Sequence, residues 1–155
     1  MTTLRPWFLG LLIVLGVATT VAAEPTGKIV KVLPHLLDAQ GRHTVSPSLF
    51  DRDAYQFHLR THRDLVSGAR FDIQWKARRV RAANLKMRLE LLTTTSTKDR
   101  PLVFEQSIAA RSGMGRWVKI PVVGEDYEKA GELIAWRVSL WNGDALLSEQ
   151  KSFLW

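Results

Sequence analysis

Hydrophobic and polar positions alternate with period two through most of this chain, and the clearest run lies near its C-terminus. Ile134, Trp136, Val138 and Leu140 alternate with Ala135, Arg137, Ser139 and Trp141, the pattern of a strand with one face in a core and one in water. Asn142-Gly143 follows and predicts a two-residue hairpin loop, because both residues tolerate the positive φ of a type I′ turn. On that register Leu140 faces Ala145 and Val138 faces Leu147, and the next core-facing positions are Glu149 and Lys151. Burying both unpaired would cost on the order of several kcal/mol. A β-bulge or a sheet edge is therefore expected between Ser148 and Ser152, after which Phe153 and Trp155 or Leu154 regain the interior.

The same alternation predicts the other strands. Ile29-Val30-Lys31-Val32-Leu33 begins one and His35-Leu36-Leu37 resumes it after Pro34, where a break in pairing between sheets is expected. Tyr55, Phe57 and Leu59 alternate with Gln56, His58 and Arg60, predicting a strand over 54–61 as hairpin neighbour of the strand that carries Phe71, Ile73 and Trp75. Leu85, Met87, Leu89 and Leu91 point inward against Lys86, Arg88 and Glu90; further strands are predicted over 102–109 and 117–123, the latter with Pro121 marking an edge. Ser48-x-x-Asp51 is a helix-start signature that supports a turn or two. Thr93 to Pro101 is polar and turn-rich and is expected to be the mobile loop, while Gly124 to Gly131 reads as one helical turn closed by glycine.

Eight candidate strands without a long amphipathic helix or an internal repeat predict an all-β fold. The expected architecture is an immunoglobulin-like or fibronectin-like antiparallel β-sandwich of about seven to eight strands, with a small barrel or jelly roll as the alternative.

The N-terminus changes the setting. Arg5, the apolar run Trp7 to Ala18 and Val21-Ala22-Ala23 have the layout of a signal peptide, cleaved after Ala23, and the run is shorter than the ~20 residues of a membrane span. Residues 24–155 then form a single domain, large enough to fold around one core. The chain has no cysteine, so a lipid-modified cysteine is excluded and export without disulfides points to a bacterial envelope, periplasmic or secreted. The order of elements and the ending Glu149-Gln150-Lys151-Ser152-Phe153-Leu154-Trp155 resemble a group of short exported bacterial proteins, a resemblance that covers most of the mature chain and brings no activity and no functional residue with it.

The formal charge of +7 favours anionic partners, which outside the cytoplasm are lipid headgroups, acidic glycans or acidic proteins; nucleic acid is excluded on compartment grounds. Lys76, Arg78, Arg79, Arg81, Lys86 and Arg88 form a basic run with no acid inside it. Lys86 and Arg88 follow from strand alternation, whereas Arg78, Arg79 and Arg81 lie in a connection that reads either as a solvated loop or as a site for an anionic glycan, a headgroup or a partner. Trp75 and Trp136 share parity with core residues, which leaves Trp117 and Trp141 as the tryptophans expected at the surface.

Catalytic and metal chemistry find little support. His58 and His62 are four apart, but on the expected strand that spacing separates them by about 13 Å, too far to share a zinc ion. Ser112 lies among turn glycines, and the carboxylate pairs Asp51 with Asp53 and Glu125 with Asp126 lie in short turn segments. The expectation is a non-catalytic envelope interaction module without metal or cofactor. The alternative is a carbohydrate- or anionic-ligand-binding module using Arg78, Arg79 and Arg81 with Trp117 or Trp141.

Overall fold

The structure is a computed structural model that describes residues 24–80, 84–109 and 116–155. The proposed leader and Arg81 and Ser112 lie outside the described residues. Two antiparallel sheets carry seven strands among them. One sheet has the order β1 (Thr26–Asp38), β2 (Val66–Arg78), β5 (Arg116–Val123). The other has the order β4 (Leu102–Ser107), β3 (Leu85–Thr93), β6 (Leu133–Asn142), β7 (Ala145–Lys151). Period-two alternation is what closes the core: Phe71, Ile73, Trp75, Val118 and Ile120 from the first sheet meet Leu85, Met87, Leu89, Val138 and Leu140 from the second. At one end the layers come very close, because a Cβ on Gly27 would lie 2.9 Å from side-chain atoms of Leu140 and Leu147.

The segment 54–61 is not the expected strand. It belongs to helix α1 (Leu49–Thr61), which Ser48 caps by accepting a hydrogen bond from the Asp51 amide, so the start signature governs a full 13-residue helix. Its inward face is the half-buried Arg52 and Tyr55 with the buried Gln56 and Leu59, a helical i, i+3, i+4, i+7 set in which only Leu59 is aliphatic. That set leaves no hydropathy signal, and the accidental alternation of Tyr55, Phe57 and Leu59 wins the sequence reading. Gln56 fixes the helix on β1: its Oε1 accepts from the Leu36 amide and its Nε2 donates to the carbonyls of Leu36 and His43. Asp38 makes a second joint, accepting from the Tyr55 hydroxyl, from the Arg42 guanidinium and from the amides of Gln40 and Arg42. With that segment helical, the described residues form seven strands rather than eight.

Pro34 does not divide the first strand. β1 pairs with β2 through Pro34, opposite Phe71, and its irregularities lie between Ile29 and Lys31 and between Leu37 and Asp38. A proline is accommodated in β1 because it is an edge strand, on which the amides that point away from β2 carry no ladder bond. Pro121 lies on the other edge strand, β5, as expected.

The C-terminal hairpin is displaced from its expected register. Asn142 pairs with Ala145, so the loop is Gly143-Asp144 rather than Asn142-Gly143; Gly143 supplies φ 60 at its first position, while Asp144 is not among the residues of positive φ, as in a type II′ turn. The bulge falls at Leu147, between the pairs Trp141↔Leu146 and Leu140↔Ser148, one step before the expected place. β7 is the expected edge strand, but its end does not return to the core: Phe153 is fully exposed and Leu154 is 61% exposed. Trp155 instead lies against Arg137, whose guanidinium sits 4.7 Å from the ring centroid. A register shift opposite Thr93 also leaves Ile134 exposed and buries Ala135. Glu90, expected at the surface, is buried between Arg88 and Arg137.

The short helix α2 (Glu125–Ala130) closes on Gly131 as the sequence indicates. At the start of the threonine-rich loop after β3, Thr95 donates to the carbonyls of Lys129 and Ala130, and the Thr94 hydroxyl accepts from the Glu132 amide.

Candidate functional site

The basic run divides between the two outer faces of the molecule. On the second sheet, Lys86 lies 3.1 Å from Glu105, and Arg88 contacts Glu90 at 3.2 Å and Glu105 at 3.7 Å, so these two cations are neutralised locally. On the first sheet the outcome is different. Ile29 and Trp75 point into the core, so their neighbours Lys28 and Lys76 point outward and face each other across β1 and β2; Thr26 and Arg78 are the next outward pair. Lys31 opposite Gln74, and Gln74 opposite Trp117, complete the outer surface at this end. Lys119 follows Trp117 on the same side of β5, directly opposite Asp72, so the acid-free part of the face ends at the row of Trp117.

Among the described residues, none of Lys28, Lys31, Lys76, Arg78, Arg79 and Lys119 takes part in an ion pair. Like charges directly opposite on adjacent strands destabilise a sheet, and no acid stands in the outward rows from Thr26 and Arg78 to Lys31, Gln74 and Trp117. Arg79, exposed immediately beyond β2, takes φ 57, a left-handed conformation unusual for a side chain of its kind, while Val80 next to it packs on the core.

Two clefts open at this end. One, of about 240 Å³, is lined by Thr26, Gly27, Lys28, Lys76, Ala77 and Arg78. The other, of about 360 Å³, lies at the open side between the sheets and is lined by Trp75, Gln106, Ser107, Arg116 and Trp117 among others. The Arg116 Nε is buried with no hydrogen-bond partner among the described residues, while its NH1 donates to the Ala109 carbonyl at 3.4 Å.

Of the residues singled out in the sequence, Arg78, Arg79 and Trp117 gather at this end. Trp141 does not join them. It is only half-buried, but it projects from the outer face of the other sheet, opposite Lys86, with its indole N–H donated to the Ser139 hydroxyl. The thickness of the core separates it from Trp117, so the two do not form one stacking platform. Lys28, Lys31 and Lys119, which sequence reading passed over, belong to the cationic face. Their outward parity was readable, but their convergence depends on which strands become neighbours.

A second polar cluster lies under α1. The ligand-type atoms of His35, His43 and Asp72 are all within 4.8 Å of one another. Arg70 already compensates the carboxylate, donating from Nε at 2.7 Å and from NH2 at 2.9 Å, and the same NH2 lies 3.2 Å from His43 Nδ1. A guanidinium therefore holds the position between Asp72 and His43 that a metal cation would need. Desolvation lowers the pKa of His35 to about 4 against the opposing charge of Asp72, and burial beside Arg70 lowers that of His43. The cluster acts as a neutral-imidazole joint beneath the helix.

His58 and His62 are not 13 Å apart, because the helix brings their rings to 4.2 Å. His62 Nδ1 is nevertheless engaged with the His58 carbonyl and the Thr61 hydroxyl, each at 3.0 Å. Asp53 pairs with Arg52 at 2.9 Å on the surface of α1, and Glu125 pairs with Lys129 on α2. A third concavity, of about 570 Å³, opens at the opposite end of the sandwich between Leu36, Ala69, Tyr127 and Leu133, with Arg63, Glu128 and Glu132 at its rim. No family model, curated protein or solved structure matches the chain.

Proposed function

We propose that the protein is an exported, non-catalytic binding module of a bacterial envelope that holds an anionic ligand on the outer face of its three-stranded sheet. The strand orders β1-β2-β5 and β4-β3-β6-β7 support the reading of a fibronectin-like or immunoglobulin-like sandwich, with α1 inserted between the first two strands. Export rests on the leader-like residues 1–23 and agrees with a cysteine-free chain.

The observation that carries the reading is the opposition of Lys28 and Lys76 beside Arg78, with no carboxylate interposed. The chain has 15 acidic residues and uses two of them to neutralise Lys86 and Arg88 on the opposite face. Leaving this end of the face uncompensated costs stability, and an anionic ligand would recover it. The test is titration with inorganic polyphosphate and with dextran sulfate at two ionic strengths. Binding weakens sharply from low to moderate salt, and the exposed-surface variant Lys28→Ala/Lys76→Ala/Arg78→Ala loses at least tenfold in affinity. Equal affinity of variant and wild type for both polymers overturns the reading.

A further inference from the structure

We infer that the anionic ligand is an acidic polysaccharide, one of whose rings stacks on Trp117 while its carboxylate or sulfate groups reach the neighbouring cations. The inference rests on the anion-binding reading above and adds the chemistry of the ligand's uncharged part.

Trp117 is 48% exposed although it lies on a strand whose alternate residues Val118, Ile120 and Val122 are buried. Its neighbours are not apolar. Across the sheet stands Gln74 and beyond it Lys31, a row of three side chains spanning roughly 10 Å at the ~4.8 Å spacing of adjacent strands. Along the strand stands Lys119. On its other side Trp117 forms part of the cleft of about 360 Å³ that also holds Gln106, Ser107 and Arg116. An indole gives a flat apolar face to the C–H side of a sugar ring. Amides and hydroxyls both donate and accept, which matches sugar hydroxyls. Guanidinium and ammonium groups take the acid substituents.

Other anions would leave part of this surface unused. A phosphate polymer or a lipid headgroup would engage the cations, and its oxygens would accept from Gln74, Gln106 or Ser107, but it presents no sugar ring whose C–H face matches the indole. A peptide adding as a strand would need the open edge of β5, where Pro121 provides no amide.

The experiment measures affinity for oligogalacturonate and dextran sulfate, for their uncharged counterparts (methyl-esterified oligogalacturonate and dextran), and for inorganic polyphosphate, poly-glutamate and phosphatidylglycerol vesicles. Wild type is expected to bind at least one acidic glycan at least tenfold more tightly than its uncharged counterpart and more tightly than the three non-sugar anions. Trp117→Ala, whose unfolding midpoint is checked first, is expected to lose ~10-fold for that glycan and to keep its affinity for polyphosphate. Preference for a non-sugar anion, or equal affinity of Trp117→Ala and wild type for the glycan, overturns the polysaccharide inference and leaves the anion-binding reading in place. Unchanged binding of every anion by Lys28→Ala/Lys76→Ala/Arg78→Ala removes both.

Discussion

His35 shows how a single buried side chain links this fold to pH. It is 7% exposed, lies 3.8 Å from Asp72, and is held neutral because burial outweighs the carboxylate; the positive charges of Arg70 and Arg52, and of His43 once it is protonated, work in the same direction as burial. Its pKa is about 4 in the folded protein, against about 6.5 in an unfolded chain. Below pH ~6.5 the unfolded state therefore takes up a proton that the folded state refuses. Stability is complete above that pH and falls as the pH drops to about 4, by about 3 kcal/mol at most for this group. Asp38 acts in a lower window. Burial alone would raise its pKa, but hydrogen bonds led by that from Tyr55 hold it at about 2, so its contribution is present above pH ~4 and is lost as the pH falls toward 2. Denaturant melts at successive pH values should show the first slope in wild type and a flatter one in His35→Asn. An unchanged slope between pH 6.5 and 4 would assign the dependence to other groups.

At the scale of elements, α1 and the end of β7 reverse two expectations drawn from hydropathy. Leu59 is fully buried between helix and sheet, so Leu59→Ala should cost roughly 2–4 kcal/mol. Phe57, on the other side of the helix, is 65% exposed, and Phe57→Ser should stay within ~0.5 kcal/mol. A strand over 54–61 would have buried both, so the pair of variants separates the two structures. The terminal residues follow the same logic. Removal of Phe153-Leu154-Trp155 is expected from sequence to unseat a core anchor, yet Phe153 and Leu154 lie in solvent. Phe153→Ser/Leu154→Ser should leave the unfolding midpoint nearly unchanged. Any cost of the full truncation then belongs to Trp155 and its contact with Arg137.

For the whole molecule, the division of charge between the two faces is the feature that ties stability to function. One outer face places Glu90 and Glu105 among Lys86, Arg88 and Arg137, and the other opposes Lys28 and Lys76 with nothing between them. Lys76→Glu should convert that opposition into a cross-strand ion pair, raising stability by ~0.2–1 kcal/mol while weakening polyanion binding. Urea melts and a polyphosphate titration on the same variant check both signs. A gain in stability with no loss of binding would place the anion site elsewhere.

The alternation of apolar and polar residues by itself determined that the protein is mostly β and which strands bury Phe71, Ile73, Trp75, Leu85, Met87, Leu89 and Leu91, while proline and glycine marked the edge strand at Pro121 and the close of the short helix at Gly131. These are local properties: a side chain's face follows from its parity within one strand. Helix α1 escaped because its docking face is fixed by the hydrogen bonds of Gln56 and Asp38, which hydropathy does not register. The cationic site escaped in part for a different reason. Arg78, Arg79 and Trp117 were legible as basic and aromatic surface residues, but Lys28 and Lys31 are some fifty residues away in the chain from Lys76 and Arg78. Only strand pairing places Lys28 opposite Lys76, aligns Lys31 with Gln74 and Trp117, and sends Trp141 to the opposite face. Parity sets the direction in which each side chain points, and register sets its company.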